Sequence, residues 1–274
     1  MALVVRTNTA SIFAQNRLNK SQASFNTSLE RLASGARINK AADDAAGMAI
    51  STALEHRLVG QSAAIRNANE GISLIQTAEG GVDQIRSMLD RMRELAVRSS
   101  SETLNNTDRA NASTEYAQLL AEIDRVASNT NFNGGVLLSA TLQLTFQVGF
   151  QNQASDRLVV TITGGLDATS LNLTNGSVGT VAAANTALAR ISAALSAVNT
   201  YRSKLGAVQN RLERSIANLE ADIENTTASN SRIRDVDFAA ETANFTRSQI
   251  LVQSGTAILA QANSAPQAAL SLLG

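Results

Sequence analysis

Hydrophobic positions recur along this chain at two different spacings, and the change of spacing marks how it is organised. From about Thr9 to Ser34, Leu18, Phe25 and Leu32 repeat at every seventh residue, with Gln22 and Leu29 on the neighbouring row. That is helical periodicity on a seam of mixed polarity, which needs a partner to be stable. Ser34-Gly35 supplies a stop, and Asn39 or Asp43 is placed to cap the next helix. Over about residues 45–100, Ala68, Ile75, Val82, Leu89 and Ala96 form one row, and Gly71, Ala78, Ile85, Met92 and Ser99 fill a second. Two such rows, sustained heptad after heptad, predict a long coiled-coil-like helix. A third helix is predicted over about 106–128. Tyr116, Leu119, Leu120, Ile123 and Val126 mark its apolar face, and Asn105 to Asp108 supply its cap. Asn133-Gly134-Gly135 then forces a turn.

Here the period drops to two. Leu142, Leu144, Phe146, Val148 and Phe150 alternate with polar residues, as do Leu158, Val160 and Ile162, and the polar stretch QNQASD separates the runs. This predicts a β-hairpin over about 140–163 with one buried face. The Gly-, Thr- and Ser-rich stretch from Gly164 to Gly179 reads as loop. Helical spacing returns near Val181, with Val198, Leu205, Leu212 and Leu219 at every seventh residue and Ile216 and Ile223 beside them, predicting a helix over about 181–227. The polar run ENTTASNSRIRDVD joins it to the last segment. There Phe238, Phe245, Val252, Leu259, Pro266 and Leu273 repeat at seven, and Arg247 is the last charge, leaving the final 27 residues uncharged. Gln249, Gln253, Gln261, Asn263 and Gln267 interrupt the segment too regularly for a membrane span. An end this apolar either docks on its own core or marks a partner surface.

The fold expected is mainly α: a long antiparallel helical hairpin or coiled-coil rod, a small β-hairpin at mid-chain, and paired N- and C-terminal helices. Residues 1–45 with 236–274 would form a terminal coiled-coil assembly domain. Residues 46–235 would form the rod, with no large outer domain. Rod packing falls to Ile75, Val82, Ile85, Leu89, Val198, Leu205, Leu212 and Leu219. Assembly falls to Leu18, Phe25, Leu29, Leu32, Phe238, Phe245, Val252, Leu259 and Leu273. Contacts between such ends and the next copy need not close on themselves, and heterologous contacts of that kind build an open helical filament.

Composition narrows the chemistry. The 23 basic and 23 acidic residues cancel and are interspersed, which gives no electrostatic footprint for nucleic acid or lipid. There is no Cys, hence no thiol nucleophile or thiolate metal site. Few aromatics, a single Pro (Pro266) and abundant Ala, Ser, Asn, Gln and Leu suit long helices packed through small side chains. Asp43-Asp44 could be a carboxylate pair, but helix neighbours point about 100° apart, and capping at a helix start is the favoured role. His56, the one histidine, reads as a surface residue. No His-Glu-x-x-His, phosphate-binding loop or Ser/His/Asp set is present, so no catalysis, cofactor or metal is expected. The start, MALVVRTNTASIFAQNRLNK, lacks the charged and apolar regions of a cleaved secretory signal.

Several stretches resemble bacterial flagellins: LERLASGARINKAADDAAGMAIS (Leu29 to Ser51), GISLIQTAEGGVDQI (Gly71 to Ile85), RMRELAVRS (Arg91 to Ser99), EIDRVASNTNFNG (Glu122 to Gly134) and LGAVQNRLERSIANL (Leu205 to Leu219). SRIRDVDFAAETANFTRSQILVQSGTAILAQAN (Ser231 to Asn263) completes the likeness, which covers roughly residues 7–135 and 200–274 in order. The resemblance implies a homopolymeric subunit of the flagellar filament, secreted through the flagellar export channel without signal cleavage. It implies an export chaperone on the C-terminal segment and hook-associated junction and cap proteins as neighbours. It also implies a vertebrate Toll-like receptor that reads Arg91, Leu95 and Glu115. The residues themselves read as two solvent-facing charges and one packing leucine. Asp90, Met92 and Arg98 depart from the residues usual in the family at those positions, as Ala36 does elsewhere. Two other readings stand beside a filament subunit: a hook–filament junction protein with similar ends, and a coiled-coil adaptor.

Overall fold

The structure, a computed structural model, describes residues 7–139, 141–162, 165–174 and 176–270. In order these form α1 (Thr9–Ser34), α2 (Ala45–Ser99), α3 (Asn106–Asn129), β1 (Asn131–Phe132), β2 (Gly135–Val136), β3 (Leu142–Gln147), β4 (Arg157–Ile162), α4 (Val181–Arg234) and α5 (Phe238–Leu270). The mainly α architecture with small antiparallel β elements is the one that the spacing predicts. Leu273 lies outside the described residues. The chain divides into two compact units, residues 1–56 with 224–274 and residues 57–223. Both divisions fall inside helices, α2 and α4, rather than near 45 and 236 as expected. The helix expected to stop near 227 continues to Arg234 because ENTTASNSRIRDVD, though polar, contains neither Gly nor Pro to break it.

In the unit of residues 57–223 the core forms where the heptads intersect. Ile75, Val82, Ile85 and Leu89 of α2 and Val198, Leu205 and Leu212 of α4 are each at most 1% exposed. Burial of each such side chain stabilises by ~1.5–3 kcal/mol. Leu219 is only half-buried. Both rows of α2 are buried from Ala68 to Ser99, the polar Ser99 included. Tyr116 and Ile123 of α3 complete this layer. In α3, Asn105 caps the start by accepting the Asp108 N–H at 2.8 Å.

The β3–β4 hairpin pairs Leu144 with Val160 and Phe146 with Leu158. Leu158 and Val160 face the core, while Val159 between them is exposed. Phe146 lies against Gly71 of α2, where an added Cβ would stand 3.0 Å from the ring. The alternation read through to Phe150 overshoots the strand, which ends at Gln147. Phe150 turns instead onto α2, with the Arg57 guanidinium 5.0 Å from its ring centroid. Arg57 also donates to Asp222 at 2.5 Å, and Gln61 donates to the same carboxylate.

The stretch read as loop is irregular but not superficial. Leu166, Ala168, Leu171, Leu173 and Val178 are buried. The Ala168 N–H is held by the Asp124 carboxylate at 2.7 Å, and the Leu166 N–H by the Leu138 carbonyl at 2.7 Å. An 18-residue window of α4 has a mean hydropathy of 1.4, apolar enough to cross a membrane by length and composition. Ala184, Ala187, Ile191, Ala194 and Val198 of that helix are packed in the core.

Candidate functional site on the paired terminal helices

In the other unit, α1 leads into a bend that docks on the end of α4. Gly35 takes φ 70 at the helix C-cap. Ala36 then bridges to Asp235, and the Arg37 N–H donates to the Arg234 carbonyl at 2.6 Å. The cap of α2 is Asp44, whose carboxylate accepts the Gly47 N–H at 2.9 Å, rather than Asn39 or Asp43. Asp43 closes the bend itself, accepting the N–H groups of Lys40 and Asn39, and those two bonds hold its carboxyl below the usual range. Asp237 caps α5 through the Ala239 N–H at 2.9 Å.

α1 and α5 then run antiparallel. The Asn8 side chain donates to the Ala262 carbonyl at 2.8 Å, and the Ser11 hydroxyl to Asn263 at 2.7 Å. Further along, an added Cβ on Gly255 would stand 3.0 Å from Leu18. Phe25 stacks on Phe245 with centroids 4.8 Å apart, and Arg31 faces Glu241 at 4.0 Å. Leu18, Phe25, Leu32, Phe245, Val252 and Leu259 are half-buried along this contact. Leu29 and Phe238 are not part of it, being 49% and 57% exposed. The seam therefore starts at Phe245, one heptad later than the sequence suggests.

The most buried positions of the pair are polar: Ser28, Glu241 and Ser248. Sequence reading missed this second row. Its signal is small residues at every seventh position, Ser21 and Ser28 on α1 against Ser248, Gly255 and Ala262 on α5. Small side chains let two helices approach until each backbone covers the other's row.

Large apolar residues meanwhile remain uncovered. Ile12 and Phe13 on α1, and Ile250, Leu251 and Ile258 on α5, are each at least half exposed. All but Ile12 line two grooves, one from Phe13 and Ala14 across to Leu251 and Ile258, the other from Phe238 to Leu251 along α5. Patches of this size on a soluble surface mark contact sites.

The residues assigned to receptor contact are split by the structure. Leu95 is 5% exposed and belongs to the core of its unit. Arg91 is exposed and Glu115 half-buried, and they pair at 2.8 Å, with Glu94 also on Arg91 at 2.9 Å. A partner could touch the two charges but not Leu95, whose packing reading is the one realised. Arg109 is a residue that sequence reading missed. It is buried and donates to the Ser99 carbonyl at 3.1 Å and the Ser101 carbonyl at 2.7 Å, satisfying groups that the end of α2 leaves open. His56 is exposed, and no group of three or more potential metal ligands occurs among the described residues.

A helix pair joined by a mixed seam of apolar, small and polar residues, with Phe13, Ile250, Leu251 and Ile258 left uncovered, has the surface of a subunit that other helices cover. The family models agree in detail. Residues 5–143 match the bacterial flagellin N-terminal helical region, and residues 188–273 match the bacterial flagellin C-terminal helical region. The chain belongs to the bacterial flagellin family. It is 47% identical to a flagellin of Halalkalibacterium halodurans over 89% of this chain and 90% of that one. It is 39% identical to a flagellin of Bacillus subtilis over 97% and 98%, respectively. A Treponema phagedenis flagellar filament 33 kDa core protein is 38% identical over 99% of this chain and all of its own length. Among solved structures, the Bacillus cereus flagellin crystal structure superposes with a TM-score of 0.50 at 31% identity, covering 56% of this chain and 88% of that one. A putative flagellar hook-associated protein of Vibrio parahaemolyticus shares the fold, with a TM-score of 0.58 at 14% identity over 70% of this chain and all of that one.

Proposed function

We propose that the chain is a structural subunit of the bacterial flagellar filament and polymerises through the α1–α5 pair. The observation that carries this reading is the uncovered apolar set on that pair, Phe13, Ile250, Leu251 and Ile258. In water each such residue costs free energy until a neighbour buries it. Repeated along an open helical lattice, the same contact buries it in every copy. The unit of residues 57–223 has a core of its own and supports the assembling helices. The filament is extracellular, and the subunit reaches it through the flagellar export channel without a cleaved signal. On the way, an export chaperone covers the uncharged C-terminal segment, and in the filament hook-associated junction and cap proteins contact the end subunits. Arg91 and Glu115 are the charges that an innate-immune receptor would meet. The subunit performs no catalysis.

The test is electron microscopy of purified chain seeded with filament fragments, comparing full length with a chain ending at Arg247. Tubular filaments from full length alone are expected. Monomeric behaviour of both, with ends resistant to proteolysis, would overturn the reading in favour of a junction or adaptor protein.

A further inference from the structure

Among the described residues, the tip of the β1–β2 hairpin places a free main-chain nitrogen beside an unheld, exposed side-chain amide. First, Asn133 and Gly134 occupy it with φ 48 and 81, the left-handed pair that a two-residue hairpin turn requires. Second, both are exposed, and an added Cβ on Gly134 would meet nothing within 4 Å. Third, the ladder is closed by the flanking residues Phe132 and Gly135, so the Gly134 N–H donates to no acceptor among the described residues. The Asn133 amide likewise has no partner among them, whereas the side chain of Asn131 is held on the Asn129 carbonyl at 3.0 Å.

The chain contains a second Asn-Gly pair, Asn175-Gly176. There the Gly176 N–H is bound to the Leu173 carbonyl at 2.8 Å, and an added Cβ on Gly176 would collide with the buried Tyr116 hydroxyl. The two pairs share the Asn-Gly dipeptide, but the glycine nitrogen is bound at Gly176 and donates to no acceptor among the described residues at Gly134.

We propose that Asn133-Gly134 is a spontaneous deamidation site and that the hydrogen bond on the Gly176 nitrogen slows the same reaction at the second pair. The Gly134 nitrogen gives up its proton to solvent base and bonds to the Asn133 Cγ. The Cγ–Nδ2 bond breaks, and the leaving amide departs as ammonia, leaving a succinimide ring. Water then opens the ring at one carbonyl or the other, giving aspartate or isoaspartate at position 133, with no change of oxidation state. The isoaspartyl product lengthens the main chain inside a two-residue turn. The pairs Asn131–Val136 and Phe132–Gly135 can then no longer both close. The segment just after the turn is structural: Leu137 and Leu138 are buried, the Leu137 N–H is bound to the Thr130 carbonyl at 2.9 Å, and the Tyr201 hydroxyl donates to the Leu137 carbonyl at 3.0 Å. The hairpin thus carries an ageing clock next to the core.

Trypsin places the two pairs on separate peptides, residues 126–157 and 158–190. The full chain is incubated folded in mildly alkaline buffer, digested, and assayed by mass spectrometry and isoaspartyl methyltransferase labelling. Modification of the 126–157 peptide is expected to be faster by about tenfold, the factor if one net hydrogen bond must break before the Gly176 nitrogen can attack. In guanidinium the two rates should converge. Asn133→Gln should remove the isoaspartyl signal from its peptide. Equal rates in the folded chain, an unchanged ratio in guanidinium, or a signal that survives Asn133→Gln would each overturn the proposal.

Discussion

Alanine at Leu251 and Ile258 probes the proposed assembly surface with least disturbance to the subunit. These side chains are 50% and 60% exposed, so about half of each surface remains to be covered by a neighbouring copy. Complete burial of such a side chain is worth ~1.5–3 kcal/mol. The exposed half, less the methyl that alanine retains, is worth about 0.5–1 kcal/mol. Because the critical concentration of a polymer is the dissociation constant for adding one subunit, each substitution should raise it about two- to fivefold. The two sites lie seven residues apart on one helix, roughly 10 Å along its axis. Their effects should therefore add, giving about five- to thirtyfold for the double variant. The assay is sedimentation of seeded filaments at steady state, reading the protein left in the supernatant, with circular dichroism to show that helix content is kept. A double variant with the original residual concentration would refute the claim that these faces are buried on assembly. A loss of helix in the free chain would instead mean that they already support the subunit.

Leu89→Ala removes a side chain with no exposure, and the unit of residues 57–223 should lose ~2–5 kcal/mol in urea unfolding, whereas Val97→Ala, at 54% exposure, should stay within ~0.5 kcal/mol. Arg109→Met leaves the Ser99 and Ser101 carbonyls without their charged donor. It should cost ~2–4 kcal/mol, read as earlier hydrogen exchange at the end of α2. Burial pushes the Tyr201 hydroxyl up to about 12 and raises Tyr116 as well. An unfolded tyrosine ionises near 10. The contribution of Tyr201 is thus whole below about pH 10 and is lost as pH rises towards about 12, amounting to ~2–3 kcal/mol. Absorbance titration of the folded chain should show neither tyrosine ionising at the ordinary value, and Tyr201→Phe should remove the step near 12 and flatten the alkaline loss of stability.

Where burial is complete, spacing was a sufficient guide. Both rows of α2 and the Val198–Leu212 row of α4 are buried as read, because a self-sufficient core selects large apolar side chains at every inward position. The β3–β4 alternation carries the same information at period two. Three features escaped for separate physical reasons. Leu166, Leu171, Leu173 and Val178 pack from irregular backbone, which imposes no period on the sequence. The end of α4 was hidden by polar composition, although composition ends a helix only when it brings Gly, Pro or a competing cap. Arg109 reads like any surface arginine until the end of α2 lies beside it. In each case the deciding partner is remote in sequence or contributes backbone rather than side chain.

The terminal pair escaped for a reason tied to function. In a self-contained helix pair, the large apolar residues point inward and small polar ones face water. Here Ser28, Glu241 and Ser248 are inside at 5–8% exposure, while Phe13 and Ile258 are outside at about 60%. By the ordinary rule the heptad of Phe238 is the inner seam, yet Phe238 itself stays exposed, because that rule presumes that the single chain is the folding unit. If the filament is that unit, both rows are interior. The small row sets how closely α1 and α5 approach, and Phe13, Ile250, Leu251 and Ile258 are left for neighbouring copies. The failure of the rule at Phe13, Ile250, Leu251 and Ile258, which lie together on the terminal pair, supports the reading that neighbouring copies cover them. An adaptor that kept its ends packed against its own core would have no reason to break it.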